Sequence, residues 1–238
     1  FNLEADSLNA AILGPDVEPG MPEFDLFVKE VQREVTSKAG QKCTAVRRVL
    51  VPEDKMDAVQ EALAARLGKT VIGDPQADGV RMGSLASKLQ VERLIENVER
   101  LMKSQEMVYG DLRDFDVVGT DKSKGAFASP ILFRNNDPFK NTDVHEVECF
   151  GPVTSMMPYK NLAAAVEIAN MGKGSLVSSI ITADDKIARE YVVEAAHMHG
   201  RIHVLNAKSA KESTGHGSPM PLLTHGGPGR AGGGEEMG

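Results

Sequence analysis

The chain has 238 residues, 41% hydrophobic and 26% charged, which makes one large globular domain, or one and a fraction, and argues against a disordered chain. A formal net charge of −7 repels phosphate backbones and argues against a general nucleic-acid binder, and no apolar run approaches the roughly 18 residues that a membrane helix needs. Two cysteines, Cys43 and Cys149, are too few for a disulfide-stapled scaffold and fit a reducing cytosol, and the lack of Trp argues against an aromatic platform for sugars or bases.

Residues 9–14 read as a short buried strand closed by Gly14 and Pro15. From Pro22 to Lys38 the period is helical, with Phe24, Phe27, Val28, Val31 and Val35 on one face and Gly40 as the stop. The Val-rich run 45–51 predicts a strand, and Pro52 ends it. Helices follow at 54–67 and 89–103. Residues 110–128 carry no period and read as loop or a small β excursion. Strands return at 130–133 and 153–158, then helix 161–170, strand 175–182, helix 184–198 and strand 201–205. From Asn206 onward Gly, Ser, Pro and His predict loop. Strands alternating with helices of 10–15 residues give an α/β fold, a mostly parallel sheet with helices on both faces. Ligands on such sheets are expected at the carboxyl ends of the strands. The chain begins at Phe1 without a start Met and ends in a glycine-rich run, so it reads as a piece of a longer protein.

Several residues carry chemistry. Cys43 lies in a break between helix and strand, with Lys42, Arg47 and Arg48 near in sequence to favour a thiolate. It reads as a nucleophile within reach of substrate or as a small core side chain, the commoner fate of a lone cysteine. Glu4 is a carboxylate near the chain start, and a solvated acid is its plainer reading. Glu148 precedes a Phe-Gly-Pro turn, where it is either a polar ligand holder at a strand edge or a surface acid. Gly227-Pro228-Gly229-Arg230-Ala231-Gly232 matches a dinucleotide GxGxxG pattern in form only, because no strand-to-helix turn surrounds it. A tight loop packed against other backbone fits it better. The histidines lack ligand spacing, so no metal is expected.

In order along the chain stand Gly40-Gln41-Lys42-Cys43, Gly73-Asp74-Pro75 with Met82-Gly83-Ser84-Leu85, Phe127-Ala128-Ser129-Pro130-Ile131-Leu132-Phe133, Glu148-Cys149-Phe150-Gly151-Pro152-Val153, and the tail from His225. Together they resemble the catalytic domain of the aldehyde dehydrogenase superfamily across nearly the whole chain. The glycines that follow the family's glutamate are missing, since Glu4 is followed by Ala5-Asp6-Ser7-Leu8. The stretches 39–45, 211–219 and 225–236 resemble most the aldehyde dehydrogenase part of bifunctional ring-cleavage proteins of phenylacetate degradation. Semialdehyde dehydrogenases of benzoyl-CoA degradation come next.

The resemblance implies oxidation of a semialdehyde, CoA-linked, with NADP or NAD. Cys43 is then the nucleophile and Glu4 the base that activates water on the Cys43 thioester. The Cys43 N–H and an upstream Asn hold the oxyanion. Glu148 bonds the nicotinamide ribose and Phe150 packs near the nicotinamide. Cys149 is a packing substitution. Residues 1–238 are then the nucleophile-bearing domain, with the dinucleotide domain upstream and a hydratase domain, if any, downstream. The piece alone is expected to be inactive, and the full-length parent a cytoplasmic homo-oligomer. Rival readings are a thiol acyltransferase or hydrolase, which needs a His near Cys43 although none lies within 100 residues of it in sequence, an acyl-CoA-forming dehydrogenase, and an inactive structural domain.

Overall fold

The computed structural model describes residues 5–218, 220 and 223–237. In chain order the elements are β1 (Asn9–Leu13), α1 (Pro22–Thr36), β2 (Val46–Pro52), α2 (Met56–Leu67), α3 (Lys88–Leu101), β3 (Glu106–Tyr109) and β4 (Ile131–Arg134). There follow β5 (Val153–Tyr159), α4 (Leu162–Asn170), β6 (Ser175–Ile181), α5 (Asp185–Ala195), β7 (His199–Leu205), β8 (Thr224–Gly227) and β9 (Gly232–Met237). The first seven strands form one sheet in the order β3-β4-β5-β2-β1-β6-β7. Every neighbouring pair is parallel except the edge pair β3–β4.

Side-chain alternation along the strands sorts the core into two faces. Ala11 and Leu13 of β1, with Val49 and Val51 of β2, pack under the apolar stripes of α1 and α2. Ala10, Ile12 and Leu50, one residue out of step, pack against α4 and α5 on the other side. The same alternation in β4 sends Leu132 to the α1–α2 core, and Ile131 and Phe133 to α3. The sheet is therefore covered on both faces, as the alternating sequence predicts. Local signals agree with the helix starts: the side chains of Ser87, Asn161 and Asp184 cap α3, α4 and α5 by accepting a backbone N–H.

Besides edge strand β3, which the sequence reading lacks, three elements differ from it. Helix α1 stops at Thr36, because Lys38, Ala39 and Gly40 all take left-handed backbone (φ 52°, 51° and 69°). Two of these are not glycine, at a cost of about 1–2 kcal/mol each. Helix α5 stops at Ala195, a short 3-10 turn spans Ala196–Met198, and His199 already belongs to β7. The tail is not all loop: β8 and β9 pair antiparallel, and the GxGxxG-like stretch is the turn between them.

Buried ionisable groups stiffen the framework. Arg48 is fully buried. His145 accepts from Arg48 at Nδ1 (3.1 Å), which leaves its Nε2–H to donate to the Pro138 carbonyl (3.0 Å). Burial first, then the Arg48 charge, pushes the His145 pKa down to about 3, and burial does the same to His199. His216 is pushed well below the usual histidine range, again by burial first. In the native state His145 and His199 stay neutral down to about pH 3, whereas in the unfolded chain they protonate near the ordinary value, and His216 acts in the same direction. Between about pH 6.5 and 3 the unfolded chain binds more protons, so stability falls as pH falls, by about 1.4 kcal/mol per pH unit for each of His145 and His199. Urea midpoints measured at pH 7, 6 and 5 are expected to drop steadily, and His145→Gln to flatten that slope. Midpoints that do not move with pH would contradict this.

Candidate active site

Cys43 sits in the connection from α1 to β2, and its side chain is exposed. The left-handed run at Lys38–Gly40 turns the chain sharply and brings it against a second loop. A Cβ on Gly40 would run into the Gly151 carbonyl, so only glycine permits this approach. Arg47 ties the two loops together: its guanidinium donates to the carbonyls of Gly151 (2.7 Å), Gly40 (2.7 Å) and Lys42 (3.4 Å). It also lies 5.5 Å from the centre of the Phe150 ring, a cation–π distance.

From below, Asn9 of β1 fixes the nucleophile loop. Its Nδ2 donates to the carbonyls of Cys43 (2.8 Å) and Ala45 (3.0 Å), while its Oδ1 accepts from Val177 N (3.1 Å) and the Ser7 hydroxyl (2.7 Å). Gln41 accepts from Ala86 N (2.8 Å), which links the loop to the residue that follows the 82–85 segment. Lys42 does not face the thiol. It turns into an ion pair with the buried Glu34 (2.6 Å).

Cys43, Glu148 and Phe150 line one cleft of about 340 Å³, together with Ala5, Asp6, Ser7, Gln90, Leu176 and Ala231. A second hollow of about 610 Å³ shares Gln90 and Phe150 and continues past Gln41 to Pro75 and Gly83. Four of the five sequence motifs thus border one continuous groove. Its walls come from segments that enter strands: residues 5–7 before β1, Cys43 before β2, Glu148 and Phe150 before β5, and Leu176 at the start of β6. The groove therefore lies at the amino ends of the parallel strands, not at the carboxyl ends expected from the fold class. The physical reason is local: the glycine-dependent turns and the exposed thiol stand on the connections that lead into β2 and β5.

Glu148 is mostly buried, 13% exposed at its side chain. Burial pushes its carboxyl upward, and the Arg47 charge opposes this. Arg47 Nε stands 3.7 Å from Glu148 Oε1, an ion-pair distance too long for a hydrogen bond, and Oε1 has no hydrogen-bond partner among the described residues. Cys149 points the other way, into the apolar cluster of Leu94, Val98, Val147 and Val153. Burial pushes its thiol up to about 12, so it stays protonated and inert.

Glu4 lies outside the described residues, though Ala5, next in sequence, lines the cleft. The reading of the sequence missed His225. The fold carries it across 182 residues to place Nε2 3.7 Å from Cys43 Sγ, and Arg201 Nη1 stands 3.3 Å from its Nδ1. It also missed Asn9 and the role of Arg230, and it named Arg47 only as a charge near Cys43, not as the tie between the two loops. Arg230 forms a two-pronged ion pair with Asp6 and donates to the carbonyls of His145 (2.8 Å) and Glu146 (2.9 Å), which pins the β8–β9 hairpin to the cleft wall. Only the glycine-rich context of the tail hinted at a close-packed hairpin there. Among the described residues no cluster of His, Cys, Asp and Glu could hold a metal ion, and no helix is long and apolar enough to cross a membrane.

An exposed cysteine on a glycine-cushioned loop, facing a buried glutamate and a half-exposed phenylalanine across a groove, is the arrangement that the five motifs imply. The profile of the aldehyde dehydrogenase family matches residues 2–238, and the chain belongs to that family. It is similar to 3,4-dehydroadipyl-CoA semialdehyde dehydrogenase of Aromatoleum evansii, 45% identical over 228 residues that cover 96% of this chain and 44% of the relative. It is similar also to Protein MaoC of Klebsiella aerogenes, 44% identical over 158 residues, 66% of this chain and 45% of the relative. Among solved structures, betaine aldehyde dehydrogenase of Staphylococcus aureus in complex with NAD+ superposes with a TM-score of 0.82 at 21% identity, over 97% of this chain and 42% of that one. Succinic semialdehyde dehydrogenase of Streptococcus pyogenes with NADP+ gives 0.80 at 21% identity, over 98% and 46%. At such identity these likenesses speak for the fold alone. The chain spans less than half the length of each of these relatives.

Proposed function

We propose that the protein oxidises a semialdehyde to its acid with NAD(P), through a thioester on Cys43. The observation that carries this reading is the shared cleft of Cys43, Glu148 and Phe150. Residues 1–238 serve as the nucleophile-bearing domain. The CoA-linked substrate is supported by the name of the relative at 45% identity, a 3,4-dehydroadipyl-CoA semialdehyde dehydrogenase. Its origin in the breakdown of an aromatic acid such as phenylacetate rests on the motif resemblance.

The residues present fit a dinucleotide. Glu148 lines the cleft, and its Oε1, which faces Arg47 Nε at 3.7 Å, has no hydrogen-bond partner among the described residues, so this carboxylate has acceptor capacity left for a ribose hydroxyl. Phe150 offers a half-exposed ring beside it for the nicotinamide. NADP or NAD, when bound, supplies the hydride acceptor. Cys43 Sγ forms the bond to the aldehyde carbon, and Asn9 and Arg47 hold the loop that aims it. Glu4 takes a proton from water as that water attacks the thioester carbon, and the thiol leaves as the acid forms.

The test is Glu4→Gln in the full-length protein. Mixed with NADP and a CoA-linked semialdehyde, it is expected to release one equivalent of reduced cofactor and then stall. Intact mass should show an acyl group on Cys43. Steady turnover at the wild-type rate, with no acyl adduct, would remove Glu4 from this role. Replacing the semialdehyde by its CoA-free counterpart is expected to lower kcat/KM at least tenfold, and equal values would refute the CoA-linked class.

A further inference from the structure

Beside Cys43 stands a histidine that thioester formation and hydrolysis, as described, do not use. Arginine carries five N–H donors and no acceptor. The His225 nitrogen that faces Arg201 Nη1 at 3.3 Å is therefore the ring nitrogen with the lone pair, Nδ1. The ring proton then sits on Nε2, which faces Cys43 Sγ at 3.7 Å, a hydrogen-bond distance for sulfur. A base for the thiol would need the opposite tautomer. The pair is thus arranged unlike the Cys–His base pair of a thiol hydrolase, although the fold brings a histidine to the cysteine.

We propose that His225 is a further catalytic residue, which donates its Nε2–H to the Cys43 thiolate, and that Arg201 is the positioning residue that fixes this tautomer. The inference rests on the reading of Cys43 as the nucleophile and adds the group that holds its charge. The thiol proton passes to solvent before attack, and His225 stays neutral throughout.

The tail is built to deliver this contact. Strand β8 lies so close to β6 and β7 that a Cβ on Gly200 would meet the Gly226 carbonyl, and one on Gly227 the Ser175 carbonyl. The glycines therefore set the depth at which His225 reaches the cleft. The surroundings agree in charge. Arg201 on β7 and Arg47 on β2 both feel the Cys43 thiolate, which opposes the downward push of burial on each. Among the described residues, the other ionisable groups that act here are Glu148 and Cys149 beside Arg47, Glu34 with its partner Lys42, and the buried His203 and His216.

The experiment measures alkylation of Cys43 by iodoacetamide in the full-length protein, located by peptide mass and followed from pH 5 to 10. His225→Ala is expected to shift the profile to higher pH and to slow alkylation at pH 7 about tenfold. His225→Met keeps volume and removes the donor, so it is expected to match alanine and keeps the test alive if alanine fails to fold. His225→Gln is expected within about threefold of wild type, because an amide accepts from Arg201 through oxygen and donates to sulfur through nitrogen. An unchanged profile in His225→Ala and His225→Met, or a glutamine variant as slow as they are, overturns the proposal. Alkylation needs no turnover, so it is independent of the nucleophile reading, which fails only if Cys43→Ala keeps its activity.

Discussion

Replacing Cys43 by alanine in the full-length protein is expected to lower turnover of a semialdehyde by about a thousandfold or more, with little change in folding stability. The two cysteines make this a controlled comparison. Cys43 is exposed on a loop whose backbone is fixed by Asn9 and Arg47, so the loss of its sulfur leaves the framework untouched. Substitutions at such sites usually stay within about 0.5 kcal/mol. Cys149 has the opposite environment. It is buried between α3 and the start of β5, and its thiol is held protonated. Cys149→Ala is therefore expected to cost about 1 kcal/mol of stability through the cavity it leaves, and to keep most of the turnover. Parallel assays of activity and urea unfolding separate the two. Wild-type turnover in Cys43→Ala would sink the assignment of the nucleophile. Loss of turnover in Cys149→Ala without loss of stability would move the chemistry to the wrong side of the motif.

Much of this arrangement was written locally. Five apolar residues at helical spacing placed α1, Val-rich runs placed β2 and β6, and residue-by-residue motifs named Cys43, Glu148 and Phe150, which the fold brings into one cleft. What escaped depends on contacts between distant segments. Edge strand β3 has four residues and is defined by its pairing with β4. The β8–β9 hairpin is rich in glycine, which reads as loop in sequence. Here glycine is needed because backbone touches backbone. His225 meets Cys43 and Arg201 only through the fold, in a pairing that no spacing along the chain can express. The location of the groove was misread for a related reason. The rule for open parallel sheets concerns connections that leave strands, whereas here the chemically equipped connections enter them.

Arg48→Met is expected to destabilise the fold by about 3–5 kcal/mol, the usual effect of breaking a fully bonded buried charge network. Arg48 uses all five of its donors. Nε and Nη2 reach the Leu8 carbonyl (2.9 and 2.7 Å), Nη2 also the Ala169 carbonyl (2.7 Å), and Nη1 the Ile168 carbonyl (2.9 Å) and His145 Nδ1 (3.1 Å). None of these partners is a carboxylate. Ile168 and Ala169 belong to the last turn of α4, so the carbonyls of a helix end supply the negative potential that the cation needs. Burial still lowers the Arg48 pKa to about 10, which leaves the guanidinium charged at neutral pH. Methionine fills the same volume but takes the donor from the Leu8 and Ile168 carbonyls, each at about 1–3 kcal/mol, and weakens the bonding of the Ala169 carbonyl, which keeps a backbone donor. Removal of the buried charge returns part of that cost, which keeps the expected total below the sum. Lysine restores the charge with three donors in place of five, so Arg48→Lys is expected between methionine and wild type. The damage also reaches the cleft. Leu8 adjoins Asn9, which holds the Cys43 loop, and His145 leads into Glu148. A lower urea midpoint in Arg48→Met should therefore come with a lower kcat. An unshifted midpoint would mean that the carbonyls find other partners and that the bonds of Arg48 do no more than offset the burial of its charge.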